Sequence, residues 1–558
     1  FDRLEAGFQE RAEREDCIVS VDEVIAGNRE NVGRSLKFRC KYPPQNFSIK
    51  TGDRCIDLAS RSGLSDVLIE RDKNIISFKK GVGKDLPRFP IDIGLDGPAE
   101  NIDTLVQSIF RYAANNERYS AITAVLKRDE PRILCNNEVK KVLGNSNSLE
   151  SVTDIIKGLN SSYLFVQGPP GTGKTFLGSK VVVKLLQEGK RVGVTSNSHK
   201  AIINFLQKIE THSLEDNFFF LGAKKSNLAD KSQRYSNLKD SNSMIVDCAK
   251  NKEMLNGNFQ LMAGTAWFFS QPELDSLLDY LVVEEAGQMS LATLIAAGTS
   301  SKSLILIGDQ NQLEQPTQGV HPNDSGISAI NYLLQTKNND EGVLSVVPPT
   351  MGIFLDKTYR LHPYICEFIS EAFYQSKLLP NSKNANRVLL LSDTLSNQLI
   401  PCGIKYIPIV HSGCKKHSKS EVDKIRELYI GLLGQSVIEN KQRKKVITFE
   451  DILVVAPFNL QVQELRKCLP EGARVGTIDK FQGQEAEVGL ISMTTSNAES
   501  MPREVEFLFS KNRLNVAITR AKCLSVIVAS QELLTFPCKT PEQLTLVNTL
   551  CWLQEVYT

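Results

Sequence analysis

The stretch YLFVQGPPGTGKT, residues 163–175, combines the residue types that bind phosphate groups. An apolar run leads into Gly168, and Gly173-Lys174-Thr175 follow at the spacing of a phosphate-binding loop between a strand and a helix. Glycines let backbone N–H groups turn toward an anion, and the dipole of the next helix adds positive potential. We expect Lys174 to contact the β- and γ-phosphates and the Thr175 hydroxyl to ligate Mg²⁺. The predicted nucleotide-binding residues are Gly168, Pro169, Pro170, Gly171, Thr172, Gly173, Lys174 and Thr175.

Polar residues end two further apolar runs. Glu284 and Glu285 follow Leu281-Val282-Val283, and Gln312 lies four residues after Gly308 at the end of SLILIG. Taken alone, each stretch is an ordinary surface turn after a strand. Beside a phosphate-binding loop, we expect Glu284 to hold Mg²⁺, Glu285 to act as the general base, and Gln312 to sense the γ-phosphate or orient water.

The elements that must position these residues alternate in type. From about residue 160, apolar strands of four to six residues alternate with helical stretches, which predicts a parallel sheet covered on both faces. A second such series follows residue 350. We predict four segments: a helical segment over 1–33, a small β module over 34–90, a first α/β domain over 91–349 with a polar helical insertion at about 205–258, and a second α/β domain over 350–558.

Bulk composition is that of a soluble globular chain. The 558 residues are 41% hydrophobic and 23% charged, and the formal charge is only +2, so any basic groove must be local. Twelve scattered cysteines without a C-x-x-C pair favour reduced thiols and an intracellular, cytoplasmic protein, a nuclear one not being excluded. No apolar stretch is long enough to span a membrane. Zinc ligation by Cys402, His411, Cys414 and His417 matches no standard spacing.

Several other residues have both a functional and an ordinary interpretation. Arg360 and Arg520, in the predicted second α/β domain, could act as arginine fingers that stabilise a departing phosphoryl group, although most arginines solvate surfaces. Trp267 and Phe268 could stack on bases, although aromatic residues more often fill a core.

The combined motifs resemble superfamily 1 helicases, and most of all their Upf-like branch. The phosphate-binding loop is followed in order by VVEEAGQMS, IGDQNQLEQP, TYRLHP, VGTIDKFQGQEAEVGLIS and NRLNVAITRAK, between about residues 160 and 530. The resemblance implies an α/β fold with two RecA-like P-loop NTPase domains, a small N-terminal β-barrel-like module and helical insertions. It also implies an ATP- and Mg²⁺-dependent helicase or translocase that moves 5′-to-3′ on single-stranded DNA or RNA.

The resemblance assigns further roles. Tyr359 would stack on the adenine and Glu485 would contact the nucleotide. The nucleic-acid backbone would be contacted by Ser196, Asn197, Thr265 and Thr477.

Two departures from the family pattern leave alternatives open. The family has Asp where this chain has Glu284, and the extra methylene could misplace a ligand of Mg²⁺, which demands near-ideal octahedral geometry. A nucleotide-gated nucleic-acid clamp with weak hydrolysis is therefore an alternative. No adenine-reading Gln motif is evident upstream of Gly168, in residues 134–150. A third interpretation is the motor portion of a longer helicase–nuclease, because the chain begins with Phe, with the nuclease upstream or on a partner protein.

Overall fold

The computed structural model describes the chain in two compact units. One unit comprises Phe1–Glu100 with Asn386–Thr558, and the other comprises Asn101–Ala385. The described residues exclude 1–10, 12–13, 15, 25–28, 34, 46, 48, 82–85, 97–101, 135–147, 236–242, 315–322, 336–342, 441–442, 482, 497–507, 536 and 539.

An antiparallel barrel forms the N-terminal part of the first-named unit. Its strands are β1 Cys17–Glu23, β2 Glu30–Val32, β3 Ser35–Lys41, β4 Cys55–Asp57, β5 Ser62–Glu70, β6 Ile75–Gly81 and β7 Ile91–Leu95. The pairing order β1-β7-β4-β5-β6-β3 returns to β1, and β2 pairs with β3 outside this ring of six strands. Closure leaves no strand of the ring with an unpaired edge. The predicted barrel-like module is confirmed.

The barrel starts earlier in the chain than the sequence prediction placed it. Residues 17–23 and 30–32 are strands, whereas a helical segment was predicted over 1–33. The segment CIVSVDE buries Cys17, Ile18, Val19 and Val21, and its β-branched residues favour a pleated, half-buried strand over a helix. Residues 1–10 of that prediction lie outside the described residues.

The unit Asn101–Ala385 is built on an eight-stranded parallel sheet. Its strands are β8 Tyr163–Gln167, β9 Val192–Thr195, β10 Gly222–Lys225, β11 Ile245–Cys248, β12 Leu261–Ala263, β13 Leu278–Glu284, β14 Ser301–Gly308 and β15 Gly352–Phe354, in the order β11-β10-β12-β9-β13-β14-β8-β15. A short pair, β16 Lys357–Thr358 and β17 Leu379–Pro380, lies outside the sheet. The helices are α1 Asp103–Ala114, α2 Ser120–Lys127, α3 Leu149–Lys157, α4 Lys174–Gln187, α5 His199–Glu215, α6 Asn251–Asn256, α7 Ala266–Phe269, α8 Leu291–Gly298, α9 Ala329–Leu334 and α10 Pro363–Tyr374.

Both faces of this sheet are covered, as the continuous apolar runs predicted. Successive residues of β8 belong to different core clusters: Phe165 packs in one cluster, and Leu164 and Val166 pack in the other. Because side chains alternate across a strand, each cluster covers one face of the sheet. Because the eight strands run parallel, their carboxyl ends all lie along one edge of the sheet.

The polar segment predicted as a helical insertion, residues 205–258, is largely part of the sheet unit. Helix α5 packs Phe205 and Leu206 into the core, and strands β10 and β11 extend the parallel sheet. The β10 sequence GAKK is polar, yet Lys224 is fully buried, with its ammonium donating to the Ser226 hydroxyl at 2.9 Å. Strand β10 thus buries a hydrogen-bonded polar side chain and lacks the apolar run by which a buried strand is recognised in a sequence.

Residues up to Ala385 group with this sheet, whereas the second α/β domain was predicted from residue 350. Strand β15 pairs with β8, and the Gln167 side chain accepts from the Val347 N–H at 2.7 Å. The apolar run at 352–354 therefore adds an edge strand to the first sheet.

A second parallel sheet follows, in the unit that also contains the barrel. The strands in this part of the chain are β18 Val388–Leu390, β19 Gly403–Ile409, β20 Ser436–Asn440, β21 Arg443–Val446, β22 Ile452–Val455, β23 Arg474–Gly476, β24 Ala486–Ser492 and β25 Ala521–Ser530. The parallel order is β19-β25-β24-β22-β23, and β18-β20-β21 form a separate three-stranded sheet. Its helices are α11 Asp393–Ser396, α12 Lys419–Leu432, α13 Asn459–Cys468, α14 Lys511–Ile518 and α15 Pro541–Tyr557. Two predicted α/β units are thus confirmed. In the described part of the chain, no helix combines the length and apolar character required to cross a bilayer.

Candidate nucleotide-binding site

The loop between β8 and α4 has the geometry of an anion-binding turn. Gly171 and Gly173 adopt φ values of +75° and +83°, which residues with a Cβ rarely adopt. A Cβ on Gly168 would lie 2.1 Å from the Lys174 Cγ. Helix α4 begins at Lys174, so its N-terminal N–H groups face the loop. The predicted strand, glycine-rich loop and helix are therefore present in order.

Lys174 lies against the loop and close to acidic side chains. Its ammonium donates to the Gly168 carbonyl and to the Pro169 carbonyl at 3.4 Å. Burial lowers the pKa of Lys174, and the charges of Asp309 and Glu284 oppose that shift. The lysine charge is thus held at the junction of the loop and the strand ends.

Glu284 ends β13 beside the start of α4. The Thr175 hydroxyl donates to Glu284 Oε1 at 2.8 Å, while Glu284 Oε2 is buried and has no hydrogen-bond partner among the described residues. Burial, then the charge of Glu285, raise the pKa of Glu284 to about 7. Mg²⁺ prefers carboxylate, hydroxyl and water oxygens. The unpartnered oxygen next to Thr175 fits the predicted metal site, because a cation there would stabilise the carboxylate that burial destabilises.

Glu285 follows with a left-handed backbone. Its φ of +56° is unfavourable for a residue with a Cβ, and such conformations concentrate at functional sites. The turn after it packs tightly, since a Cβ on Gly287 would approach the Asp309 carbonyl oxygen to 2.9 Å. Glu284 and Glu285 are thus adjacent at the point where β13 ends and a sharp turn begins.

A third strand end, that of β14, contributes Gln312 and a residue that the sequence prediction missed. The Gln312 amide donates to Asp309 Oδ2 at 2.7 Å and reaches the Gly168 carbonyl at 3.5 Å. Asp309 is buried, and the Tyr374 hydroxyl donates to the same oxygen at 2.7 Å. Burial raises the pKa of Asp309, opposed by Lys174 and these hydrogen bonds. The sequence signal that could have identified Asp309 as a site residue was its position directly after the apolar run of β14.

The segment that contains β16 forms hydrogen bonds with the phosphate-binding loop. The Thr358 hydroxyl donates to the Pro170 carbonyl at 2.9 Å, and the Tyr359 N–H donates to the Gly171 carbonyl at 2.8 Å. The Tyr359 side chain is 61% exposed, so its ring is available for stacking. Arg360 lies near enough to lower the pKa of Lys174 through its charge. Arg360 therefore lies in the unit that carries the loop, not in a second domain as predicted.

The residues predicted to contact nucleic acid in this unit follow strands of the same sheet. Ser196 follows β9, and its buried hydroxyl has no hydrogen-bond partner among the described residues. Asn197 is exposed and donates to the Gln288 carbonyl. Thr265 follows β12 and, with Trp267, lines a cavity of about 470 Å³. Phe268 also lines this cavity, and its side chain is buried in the core cluster against which Trp267 packs. These contacts with nucleic acid stay predictions.

Three predicted site residues lie in the other unit. Arg520 is buried, and its guanidinium donates to the carbonyls of Val516, Phe481 and Gln484 at 2.9–3.2 Å. Glu485 forms an ion pair of 2.6 Å with Lys522, and Thr477 follows β23. Their contacts with nucleotide or nucleic acid stay predictions.

The zinc alternative finds no support in the described residues. His411 is buried between the Glu421 carboxylate, at 2.9 Å, and the Ser496 hydroxyl, at 2.6 Å. No group of three or more His, Cys, Asp or Glu side chains able to hold a metal ion occurs in the part of the chain that the structure describes.

Three features define a P-loop nucleoside triphosphatase: the glycine-rich loop between β8 and α4, the acidic pair at the end of β13, and the glutamine in the turn after β14, which lies between those two strands. A family model described as an AAA domain matches residues 152–324, and a second with the same description matches residues 336–532. With the helicase relatives given next, these matches show that the homologues of this chain are superfamily 1 helicases of the Upf-like group.

The relatives are helicases of moderate similarity. The DNA polymerase alpha-associated DNA helicase A of Saccharomyces cerevisiae is 25% identical over 71% of this chain and 66% of that protein. The DNA replication ATP-dependent helicase/nuclease DNA2 of Gallus gallus is 24% identical over 93% of this chain and 52% of that protein. Helicase SEN1 of Saccharomyces cerevisiae is 28% identical over 44% of this chain and 11% of that protein. The chain thus spans less than two thirds of the length of each of these relatives.

Solved helicase structures match at low scores. The arterivirus nonstructural protein 10 helicase has a TM-score of 0.37 and 13% identity, over 90% of this chain and 77% of that chain. The Pif1 helicase from Candida albicans has a TM-score of 0.27 and 13% identity, over 75% of this chain and all of that chain. At these scores the matches assign no residue.

Proposed function

We propose that this protein is an ATP-dependent helicase or translocase that moves 5′-to-3′ on single-stranded DNA or RNA. The observation that carries the proposal is the hydrogen bond of 2.8 Å between Thr175 and Glu284, beside Lys174 at the head of the phosphate-binding loop. It joins the two predicted metal ligands, Thr175 at the start of α4 and Glu284 at the end of β13. This arrangement is the one that phosphoryl transfer to water requires.

Each residue of the site has a role in this proposal. Lys174 stabilises the β- and γ-phosphate charge, and Glu285 accepts a proton from the attacking water. Gln312, oriented by Asp309, positions that water or senses the γ-phosphate. Mg²⁺, held by Thr175 and Glu284, would neutralise charge on the phosphate oxygens.

Tyr359 and Arg360 extend the proposed nucleotide site. The exposed Tyr359 ring offers a stacking surface for adenine, and its backbone is fixed to the loop at Gly171. Arg360 adds positive charge near Lys174. Arg520 and Glu485 are proposed as nucleotide contacts from family resemblance alone.

Nucleic-acid binding is proposed for the carboxyl edge of the first sheet. Hydroxyl and amide groups of Ser196, Asn197 and Thr265 follow parallel strands, so they lie on the edge that carries the phosphate-binding loop. Contacts of this type bind the backbone and carry no base sequence. Thr477 is proposed to act in the same way. The relatives named as DNA helicases support DNA as one substrate, and those named helicase/nuclease support an accompanying nuclease activity.

The clamp alternative receives no support from these relatives. Its premise is that the extra methylene of Glu284 misplaces the carboxylate, yet the carboxylate reaches the Thr175 hydroxyl at 2.8 Å. We also propose an intracellular, cytoplasmic location, which is supported by the scatter of the twelve cysteines without a C-x-x-C pair.

Tailed duplexes test the proposed activity and its direction. We expect ATP to drive separation of duplexes with a 5′ single-stranded tail, and blunt duplexes or those with a 3′ tail to remain paired. DNA and RNA versions identify the substrate. Glu285→Gln should abolish separation while ATP binding persists. ATP-driven separation that is equal in Glu285→Gln and the parent would contradict the proposed chemistry.

A further inference from the structure

A cationic cavity occurs in the unit that contains the barrel and the second sheet, whereas the phosphate-binding loop belongs to the other unit. It measures about 530 Å³ and is lined by Arg71 of the barrel, Arg466 of α13, Lys480 and several barrel residues, among them Tyr42, Gln45 and Phe47. None of the roles described above involves this cavity.

Two of its cations are held in fixed positions. The Arg71 guanidinium donates to the carbonyls of Phe47 and Ile49 at 3.1 and 3.0 Å, and it lies 4.3 Å from the centre of the Phe47 ring. The Arg466 guanidinium donates to the Val475 carbonyl at 2.9 Å. Such anchoring lowers the entropy that each side chain loses when it binds a ligand.

The third cation, Lys480, lies among like charges. Loss of hydration, then the charges of Arg466 and Arg71, lower the pKa of Lys480 to about 8. Among the described residues that line the cavity, Asp479 is the one with a carboxylate, and it is paired with Arg513 at 3.0 Å. The charge of the cavity is therefore only partly balanced by the described residues that line it.

We propose that Arg71, Arg466 and Lys480 form a binding site for a phosphate group, separate from the phosphate-binding loop. Guanidinium groups match phosphate oxygens with paired N–H donors, and lysine adds a point charge. Three cations suit a phosphate dianion, or a backbone phosphate and its neighbour, better than a single carboxylate. An anion in the cavity would relieve the repulsion among the three side chains.

The phosphate has two possible sources, a nucleic-acid backbone or free inorganic phosphate and pyrophosphate. The nucleic-acid source rests on the proposed function, because it requires that the protein bind single strands. The free source does not. Both share the same chemistry at the cavity.

Paired charge-removal variants of the 558-residue chain test the proposal. The cavity variants are Lys480→Gln alone and Lys480→Gln combined with Arg71→Gln. The controls are Lys467→Gln, and Lys467→Gln combined with Lys73→Gln, because these exposed lysines pair with Glu464 and Glu70. Each control removes the same formal charge from a neighbouring position.

The first arm measures binding of a fluorescent single-stranded oligonucleotide across a salt series. For single strands, the slope of log affinity against log salt should fall by about 0.7 for each cation removed from the cavity and stay unchanged in the controls. The second arm titrates pyrophosphate calorimetrically in a Lys174→Met background, which removes the contribution of the phosphate-binding loop. Binding should weaken at least about tenfold in the cavity variants only.

The outcomes separate the sources and the two proposals. A changed oligonucleotide slope supports a backbone phosphate, and weakened pyrophosphate binding with an unchanged slope supports a free phosphate. If neither responds, or if the controls respond equally, the phosphate site is refuted. A parent protein that binds no oligonucleotide and hydrolyses no ATP refutes the proposed function instead, and the pyrophosphate arm still decides the cavity.

Discussion

The buried carboxylate of Glu284 predicts a specific pH dependence of stability. Its pKa is raised from 4.5 to about 7, mainly by burial. A carboxyl group whose folded-state pKa is raised contributes stability that is fully present below about pH 4.5 and is lost as the pH rises through about 7. The contribution of Glu284 to the free energy of unfolding therefore falls by roughly 3 kcal/mol between low pH and pH 8. Glu284→Gln removes the titration and keeps an oxygen that can accept from Thr175.

We therefore expect Glu284→Gln to become more stable relative to the parent as the pH rises. Between pH 5 and pH 8 the difference in the free energy of unfolding should grow by roughly 2–3 kcal/mol. The assay is urea unfolding without Mg²⁺ in a Trp552→Phe background. Trp267 is then the remaining tryptophan, and it lies in the same unit as Glu284.

Glu371→Gln is the matched control, because Glu371 is exposed on α10 in the same unit. Its effect on the free energy of unfolding should not change with pH. If the difference in the free energy of unfolding between Glu284→Gln and the parent stays constant from pH 5 to pH 8, the reasoning that burial destabilises the charged carboxylate is refuted. Added Mg²⁺ should stabilise the parent at pH 8 more than it stabilises Glu284→Gln, because the cation compensates the buried charge.

Three further substitutions test the geometry of the site. Gly171→Ala should weaken binding of a fluorescent ATP analogue at least about tenfold, because its Cβ would lie 2.4 Å from the Arg360 Cβ at a φ of +75°; unchanged affinity would contradict this loop conformation. Tyr374→Phe should lower the free energy of unfolding by about 1–2 kcal/mol, because it removes a donor from the buried Asp309, and urea unfolding of the same Trp267 reporter measures this; an effect within error would show that the hydrogen bond is not formed. Glu284→Asp should reduce ATP turnover by about tenfold, because the shorter side chain withdraws from the Thr175 hydroxyl; turnover that appears only in the Asp variant would support the clamp.

The local motifs could be read from the sequence because each consists of neighbouring residues. The apolar run before Gly168 defines a buried strand, and the spacing to Lys174 and Thr175 requires a tight turn into a helix. The same logic placed Glu284 at a strand end. The sequence predicted Thr175 and Glu284 as ligands of one Mg²⁺ ion, and their side chains lie 2.8 Å apart in the structure.

Long-range partners could not be read in the same way. Asp309 and Tyr374 are 65 residues apart, and their hydrogen bond depends on the packing of α10 against the first sheet. The prediction also missed β1. The charged residues around CIVSVDE suggested a helix, whereas its pairing with the distant strand β7 makes it a strand. Residues 352–354 were assigned to a second domain because an apolar run alone does not specify which sheet it joins.

Phosphate release from ATP, with and without a single-stranded oligonucleotide, tests the central claim most directly. The claim is that the strand ends around Lys174 hydrolyse ATP in response to nucleic acid. We predict Mg²⁺-dependent turnover that rises at least about tenfold with the oligonucleotide and falls to background in both Lys174→Met and Glu285→Gln. Turnover that is indifferent to the oligonucleotide, or that survives both substitutions, would contradict it.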